Sequence, residues 1–165
     1  MHKLLYDEDD FVQVYTDGAC SNNGRSNEAA GIGVVFNFDH PANYSGPVKG
    51  RASNNAAEIQ AATWAINAAA SMDIHQLRVM TDSKFVISSV CEWMPKWKRN
   101  GWCRNNGTRL ANEKDFRFLD RALQRNSDMF IDFEHVPPHS GNRYNGLADK
   151  LAKVGANMYF KMHFY

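Results

Sequence analysis

The 165 residues suffice for one domain with a full core, and a hydrophobic content of 44% excludes global disorder. No apolar run is long enough to span a bilayer, and the N-terminus M-H-K-L-L-Y-D-E-D-D turns acidic too soon for a signal or transit peptide. The net charge of +1 selects no partner, and three cysteines (Cys20, Cys91, Cys103) without metal-ligand spacing suit a reducing compartment inside the cell.

Residues 1–10 read as a frayed lead-in. Phe11 to Gly24 reads F-V-Q-V-Y-T-D-G-A-C-S-N-N-G. Val12, Val14 and Thr16 alternate with Phe11, Gln13, Tyr15 and Asp17, which predicts a strand with Asp17 at its C-terminal end. Gly18 permits a turn there. Cys20 to Gly24 is small and polar, so it can approach a ligand closely. Taken alone, Asp-Gly is simply a hairpin signal. Ala29 to Phe38 alternates again and predicts a second strand. Its Gly31 and Gly33 imply that one face meets another backbone or a helix. After the turn at Pro41 comes a third strand, Tyr44 to Gly50, marked as an edge by Pro47. Short turns join the three into an antiparallel meander.

The period then changes from 2 to 3.6. Asn55 to Ala70 is rich in alanine, with Ala62, Ile66 and Ala69 on one stripe of a helix. Asn55 with Glu58 three residues later fits an N-cap and its acidic partner. Glu58 is therefore either a capping carboxylate or a group facing the strand ends. Gln76 to Thr81 predicts a strand, and Asp82-Ser83 leads into a helix carrying Val86, Ile87, Val90, Trp93 and Met94. Asp82 serves either as that helix's N-cap or as a second acid at a strand end. A helical crossover makes neighbouring strands parallel. If this strand lies beside the first, Asp82 and Asp17 are about one strand spacing, 4.8 Å, apart.

Trp93 to Arg109 holds Lys96, Lys98, Arg99, Arg104 and Arg109 with no acid, interleaved with Trp93, Trp97 and Trp102. A solvated basic surface over core tryptophans would explain this. The density of cations and aromatic rings favours contact with nucleic acid, whose phosphates and sugars they suit. Asn112 caps a further helix to Arg125, Met129 to Val136 predicts a fifth strand, and Pro137 to Asn142 is a loop carrying His139. From Asn145 a last helix follows, with Leu147, Leu151, Val154 and Met158 on one face and Asp149 in its first turns, where an acid suits the dipole.

Each acid has a bland explanation, yet together they form a pattern. Asp17 and Asp82 end strands, and Glu58 and Asp149 open helices; in an α/β sheet these positions face one crevice. Four carboxylates there would repel one another without cations, and hard oxygen ligands select Mg²⁺ or Mn²⁺ over zinc. Such a site beside a basic aromatic strip suggests metal-dependent phosphodiester chemistry.

The motifs Y-T-D-G-A-C-S-N-N-G, A-G-I-G-V, N-N-A-A-E-I-Q-A-A, T-D-S-K-F-V-I, W-K-R-N-G-W and H-S-G…A-D-K-L-A stand in an order that resembles the ribonuclease H family, the type 1 eukaryotic-like catalytic domain, from Phe11 to Ala156. The resemblance implies an α/β RNase H-like fold: a five-stranded mixed sheet of order 3-2-1-4-5, strands 1–3 antiparallel, helices on both faces. The organisation implied is a lead-in (1–10), a catalytic domain (11–160) with a basic protrusion (93–111), and a tail (161–165). It implies an endoribonuclease that hydrolyses the RNA strand of RNA/DNA hybrids to 5′-phosphate and 3′-hydroxyl ends. Two Mg²⁺ ions, replaceable by Mn²⁺ and about 4 Å apart, would assist an in-line displacement. Asp17, Glu58, Asp82 and Asp149 resemble the catalytic metal-binding carboxylates, and His139 the mobile-loop histidine that assists turnover. Cys20, Ser21, Asn23, Gly24, Asn54 and Asn55 resemble the RNA-side contacts. Arg51, Ser53 and Asn112 resemble the DNA-phosphate pocket, and Trp97, Trp102, Lys98 and Arg99 the DNA-side protrusion. Two departures stand out: Pro138 precedes the loop histidine where the family has glycine, and Tyr144-Asn145-Gly146 replaces G-N-E.

The rival outside enzymes is a hybrid-binding module, whose signature would be a lost carboxylate. The rival among enzymes is a two-metal nuclease of DNA junctions or transposon ends, which the W-K-R-N-G-W segment disfavours. The expected setting is a monomer acting on RNA/DNA hybrid, away from membranes and not secreted, in nucleus or cytoplasm first and mitochondrion second.

Overall fold

A computed structural model describes residues 2–22 and 25–165. The centre is β2 (Val12–Ser21). It pairs antiparallel with β3 (Ala29–Val35), which pairs antiparallel with β4 (Tyr44–Pro47). On its other side β2 runs parallel to β5 (Gln76–Thr81), which runs parallel to β6 (Phe130–His135). The order β4-β3-β2-β5-β6 is the expected mixed sheet. The strand count is corrected from five to six, because β1 (Leu5–Tyr6) pairs antiparallel with Gln13 and Val12. The lead-in is held in place, not frayed. Arg78 on β5 pairs with Asp7, reaches Asp9 at 3.5 Å and Asp132 at 3.1 Å, and lies 4.4 Å over the Phe11 ring.

Helices cover both faces. α1 (Asn54–Ser71) meets Gly18 of β2, and α5 (Arg143–Phe164) meets Gly31 and Gly33 of β3. Gly18 lies opposite Ile32, one residue out of phase with Gly31 and Gly33, so the two helices take opposite faces. A Cβ on Gly33 would stand 2.1 Å from the Ala148 carbonyl oxygen, which is the crowding its glycines implied. All seven residues of β3 are consequently buried. Phe36, Ile59, Ile66, Leu77, Phe116 and Leu119 are fully buried between sheet and helices, each contributing about 1.5–3 kcal/mol by leaving water.

Where one helix was expected after Asp82, the chain makes α2 (Lys84–Ser88), a π-helical turn (Ser89–Trp93) and α3 (Met94–Arg99). The buried Ser89 hydroxyl donates to the Phe85 carbonyl at 2.6 Å. The wider turn changes the rotational phase of α3 relative to α2. α4 (Glu113–Arg125) lies alongside, and the tail beyond residue 160 continues α5 to Phe164. The sheet ends at β4, four residues long with Pro47, and at β6, which exposes Phe130, Asp132 and Glu134. Among the described residues no helix is long and apolar enough to cross a membrane.

Candidate active site and nucleic-acid interface

β2 continues past Asp17 to Ser21, still paired with β3, so Asp17 is inside the strand instead of at its end. The opening beside it comes from β5, which stops at Thr81 opposite Thr16. Asp17 is the first β2 residue beyond that ladder, and Asp82 the first residue beyond β5. Both therefore reach the same notch. Gly18 is likewise a strand residue and makes no turn. A Cβ there would lie 2.6 Å from the Ala57 Cβ and 2.7 Å from the Glu58 backbone nitrogen. Its absence lets α1 settle on β2 and carry Glu58 to Asp17.

Neither Glu58 nor Asp82 caps a helix. Ser53 caps α1, accepting from the Ala56 N–H at 3.0 Å, in place of the expected Asn55. Ser83 caps α2, accepting from the Val86 N–H at 3.2 Å. The acids are thereby left for the notch. The Gly18 N–H donates to Asp17 Oδ1 at 2.9 Å and to Glu58 Oε1 at 3.0 Å. Asp17, Glu58 and Asp82 each present an oxygen within 4.8 Å of the other two. Glu58 Oε2 is buried with no partner.

Burial and mutual repulsion suppress ionisation here. Asp17, only 4% exposed, is pushed up to about 7, by burial first and then by Asp82. Glu58 is raised well above the ordinary carboxylate range, by burial and then by Asp17. The two carboxyl groups titrate as a pair, and both are raised. Asp82 is raised by burial and by Asp149, against opposing effects of His135, Asn145 and His139. A divalent cation relieves this kind of strain. Three hard oxygen donors, one orphaned, fit such an ion.

Asp149, on α5, stands apart from the three-carboxylate group. Its Oδ2 pairs with Lys153 Nζ at 2.9 Å, and its charge is felt at Asp82 and Asp17. His139 sits exposed on the loop before α5 with a left-handed backbone, φ 55°. Two neighbours escaped the sequence reading. Lys153 follows Asp149 by four residues, a helical pairing distance that was available as a signal. Asn145, noted only as part of a departure, is 7% exposed and is among the groups that favour the ionised form of Asp82.

The residues expected to contact substrate are spread over several elements. Cys20 and Ser21 end β2; Asn23 and Gly24 lie outside the described residues. Asn54 and Asn55 are exposed at the start of α1, Arg51 is exposed just before it, and Ser53 is the half-buried cap. Asn112 precedes α4 at φ 62° with its side chain making no cap bond. A groove of about 460 Å³ runs from Asn55 to Asn112 and is lined by Trp93, Lys96, Trp97 and Arg104. Trp97 is half-buried, with its ring tilted at 53° and 4.9 Å from that of Phe116. Trp102 is 9% exposed beneath the Arg117 guanidinium, 5.1 Å from its ring, so it offers less surface than a groove wall needs. Lys98 is held by Asp120 at 3.0 Å, whereas Arg99 is exposed.

Residues 9–157 match the family model of RNase H. Human Ribonuclease H1 is 46% identical over 147 residues, covering 89% of this chain and 50% of the relative. The Ribonuclease H of Saccharopolyspora erythraea is 35% identical over 144 residues, covering 87% of this chain and 89% of the relative. A foamy viral protease–reverse transcriptase solved in complex with an RNA/DNA hybrid superposes with a TM-score of 0.71 at 27% identity, covering 87% of this chain and 20% of that one. The chain spans about half the length of the mammalian relatives it matches. A match over nine-tenths of its residues, on a fold that gathers three of the four motif acids at one notch, makes this chain a member of the RNase H family.

Proposed function

We propose that the chain hydrolyses the RNA strand of RNA/DNA hybrids by metal-dependent chemistry, leaving 5′-phosphate and 3′-hydroxyl ends. The observation that carries this reading is the notch: three carboxylates within 4.8 Å, raised in pKa by burial and then by one another, with a basic aromatic groove on the same molecule. Family membership and the viral relative solved with a hybrid support the substrate class. Asp17, Glu58 and Asp82 would hold the cations, with Asp149 adding charge at the rim; two Mg²⁺, with Mn²⁺ as substitute, are the expected occupants. When bound, they supply Lewis-acid stabilisation of the reacting phosphate and a more acidic water.

The protein's own part is positioning. The Gly18 N–H fixes Asp17 and Glu58 together, and α2, starting directly after Asp82, sets the second strand end. The exposed Asn54, Asn55 and Ser21 and the half-buried Cys20, with Asn23 and Gly24 next in sequence, address the RNA strand, where 2′-hydroxyls distinguish RNA from DNA. Arg51, Ser53 and Asn112 hold a DNA phosphate. Trp97, Lys98 and Arg99 guide the DNA strand, and Trp102 supports them from below. His139 assists turnover from its loop. The molecule acts as a monomer inside the cell, in nucleus or cytoplasm first and mitochondrion second. Labelled RNA/DNA, RNA/RNA and DNA/DNA duplexes, each with Mg²⁺ or EDTA, test this. Cleavage confined to RNA/DNA and abolished by EDTA is expected; cleavage in EDTA, or equal cleavage of DNA/DNA, overturns it.

A further inference from the structure

Gln60 of α1 commits its whole side-chain amide to two other segments. Its Oε1 accepts from the Lys49 N–H at 2.9 Å, and its Nε2 donates to the Lys49 carbonyl at 2.9 Å. That pair of bonds grips the backbone as a neighbouring strand residue would, so Lys49 is fixed in position and direction. The second Nε2 hydrogen goes to Asp115 Oδ1 at 2.9 Å, a bond strengthened by the charge of its acceptor. Asp115 is half-buried in the first turn of α4, three residues after Asn112. An acid there can turn back on its own helix start; Asp115 reaches across to α1 instead.

The segments joined in this way carry Arg51 and Ser53 on one side and Asn112 on the other. Next to Lys49, the Gly50 carbonyl accepts from the hydroxyl of Tyr159 at 2.8 Å, and Tyr159 is 7% exposed on α5. Helices from both faces of the sheet therefore anchor the two residues that precede Arg51. Arg51 is exposed, and no ion pair holds it among the described residues. Ser53 accepts from the Ala56 N–H and keeps its hydroxyl proton for another acceptor. Asn112 makes no cap bond, and with Asn55 it lines one groove. Each of the three residues is left able to donate.

We propose that Gln60 is a positioning residue for binding the DNA strand: its amide holds the 49–53 segment and the start of α4 at one separation, so that Arg51, Ser53 and Asn112 meet the same phosphate. The inference rests on the reading that these three form a phosphate pocket. Phosphate contacts fix the register and orientation of a bound strand. Gln60 thus governs how the hybrid is held and leaves the chemistry at the notch alone.

The test compares Gln60→Leu, similar in bulk but without hydrogen-bonding groups, with Arg51→Ala plus Asn112→Ala and with all three changes together. The readouts are KM and kcat for hybrid cleavage, the hybrid Kd in EDTA, and the melting temperature. Gln60→Leu should raise KM and Kd by at least about threefold, with kcat within about twofold of wild type. On the Arg51→Ala plus Asn112→Ala background the same change should move them by less than about 1.5-fold, because the pocket it arranges is gone. Asp115→Ala should raise KM as well, whereas Asp115→Asn keeps an acceptor for Gln60 and should restore it. A merely structural Gln60 would lower the melting temperature and leave KM and Kd unmoved; that result overturns the proposal, as does an undiminished effect on the background without the pocket. Should Gln60→Leu not fold, the Asp115 variants decide, and equal KM for Asp115→Ala and Asp115→Asn overturns it. Unchanged KM and Kd in Arg51→Ala plus Asn112→Ala would remove the pocket and this proposal with it. A wild-type protein that neither binds nor cleaves hybrid defeats the proposed function itself, and the proposal built on it.

Discussion

Replacing Asp17 by asparagine should make the metal-free protein more stable at neutral pH. Asp17 is 4% exposed and pushed from 3.8 up to about 7, first by burial and then by Asp82. The folded state therefore holds a proton that the unfolded chain releases near pH 4. Between those two values stability falls as pH rises, and above about pH 7 the loss is complete. A rise from 3.8 to about 7 corresponds to about 4 kcal/mol at about 1.4 kcal/mol per pKa unit. This is an upper bound, because Glu58 shares the site and keeps part of the cost. The amide has the same shape, still accepts from the Gly18 N–H, and carries no charge to desolvate. At about 2–4 °C per kcal/mol for a domain of this size, the gain should be at most about 8–16 °C. Calorimetry in EDTA from pH 4 to pH 8 reads it: no difference near pH 4, a widening advantage to pH 7, then a plateau. Added Mg²⁺ should raise the wild-type melting temperature more than the variant's and so shrink the gap. A variant no more stable than wild type at pH 8 in EDTA, or equally stabilised at pH 4, would refute the reasoning.

Gly18→Ala puts a methyl 2.6 Å from the Ala57 Cβ and 2.7 Å from the Glu58 backbone, so it should cost about 1–3 kcal/mol and most of the cleavage activity; an unchanged melting temperature would show that α1 can back away freely. His139→Ala should slow multiple-turnover cleavage more than single-turnover cleavage, since loop residues often govern release, and complete loss in both regimes would give it a direct role. Lys98→Ala combined with Arg99→Ala should raise KM, leave kcat nearly intact and flatten the log–log salt dependence by up to about 0.9 for each phosphate no longer neutralised. The Arg99 share should be the larger, because Asp120 already holds Lys98. Loss of kcat with an unchanged salt slope would move the strip into the catalytic centre.

The periodicities of 2 and 3.6 reported burial, and burial made these elements, so strands and helices were legible wherever a run was long. β1 was not, because two residues carry no period and Leu5–Tyr6 is held by tertiary contacts, including the Arg78 anchor beyond it. The π-helical turn escaped because Val86, Val90, Trp93 and Met94 suit a continuous α-helix equally well. For Glu58 and Asp82 a capping role competed with a notch role, and local pattern cannot decide when Ser53 and Asn55, or Asp82 and Ser83, are all good caps. The structure decides by giving both caps to serines. Asn145 was invisible for a different reason. An asparagine early in a helix is unremarkable until the fold brings it near enough to Asp82, 63 positions earlier in the numbering, to favour that acid's ionised form.

The two borders of the sheet bear on the molecule's life among other chains. An open strand edge is a template on which any other extended segment can add itself. One border here is β4, cut to four residues and carrying Pro47, which has no N–H to offer. The other, β6, is longer and bears Asp132 and Glu134 exposed beside Phe130. Glu134, and Asp132 in so far as Arg78 leaves its charge uncompensated, make stacking of like edges electrostatically unfavourable, while the lone aromatic is too little apolar surface to overcome it. The chain thus guards one edge with covalent geometry and the other with charge. A variant in which Glu134 became valine would keep the Arg78–Asp132 pair and the inner architecture yet weaken its protection against self-association.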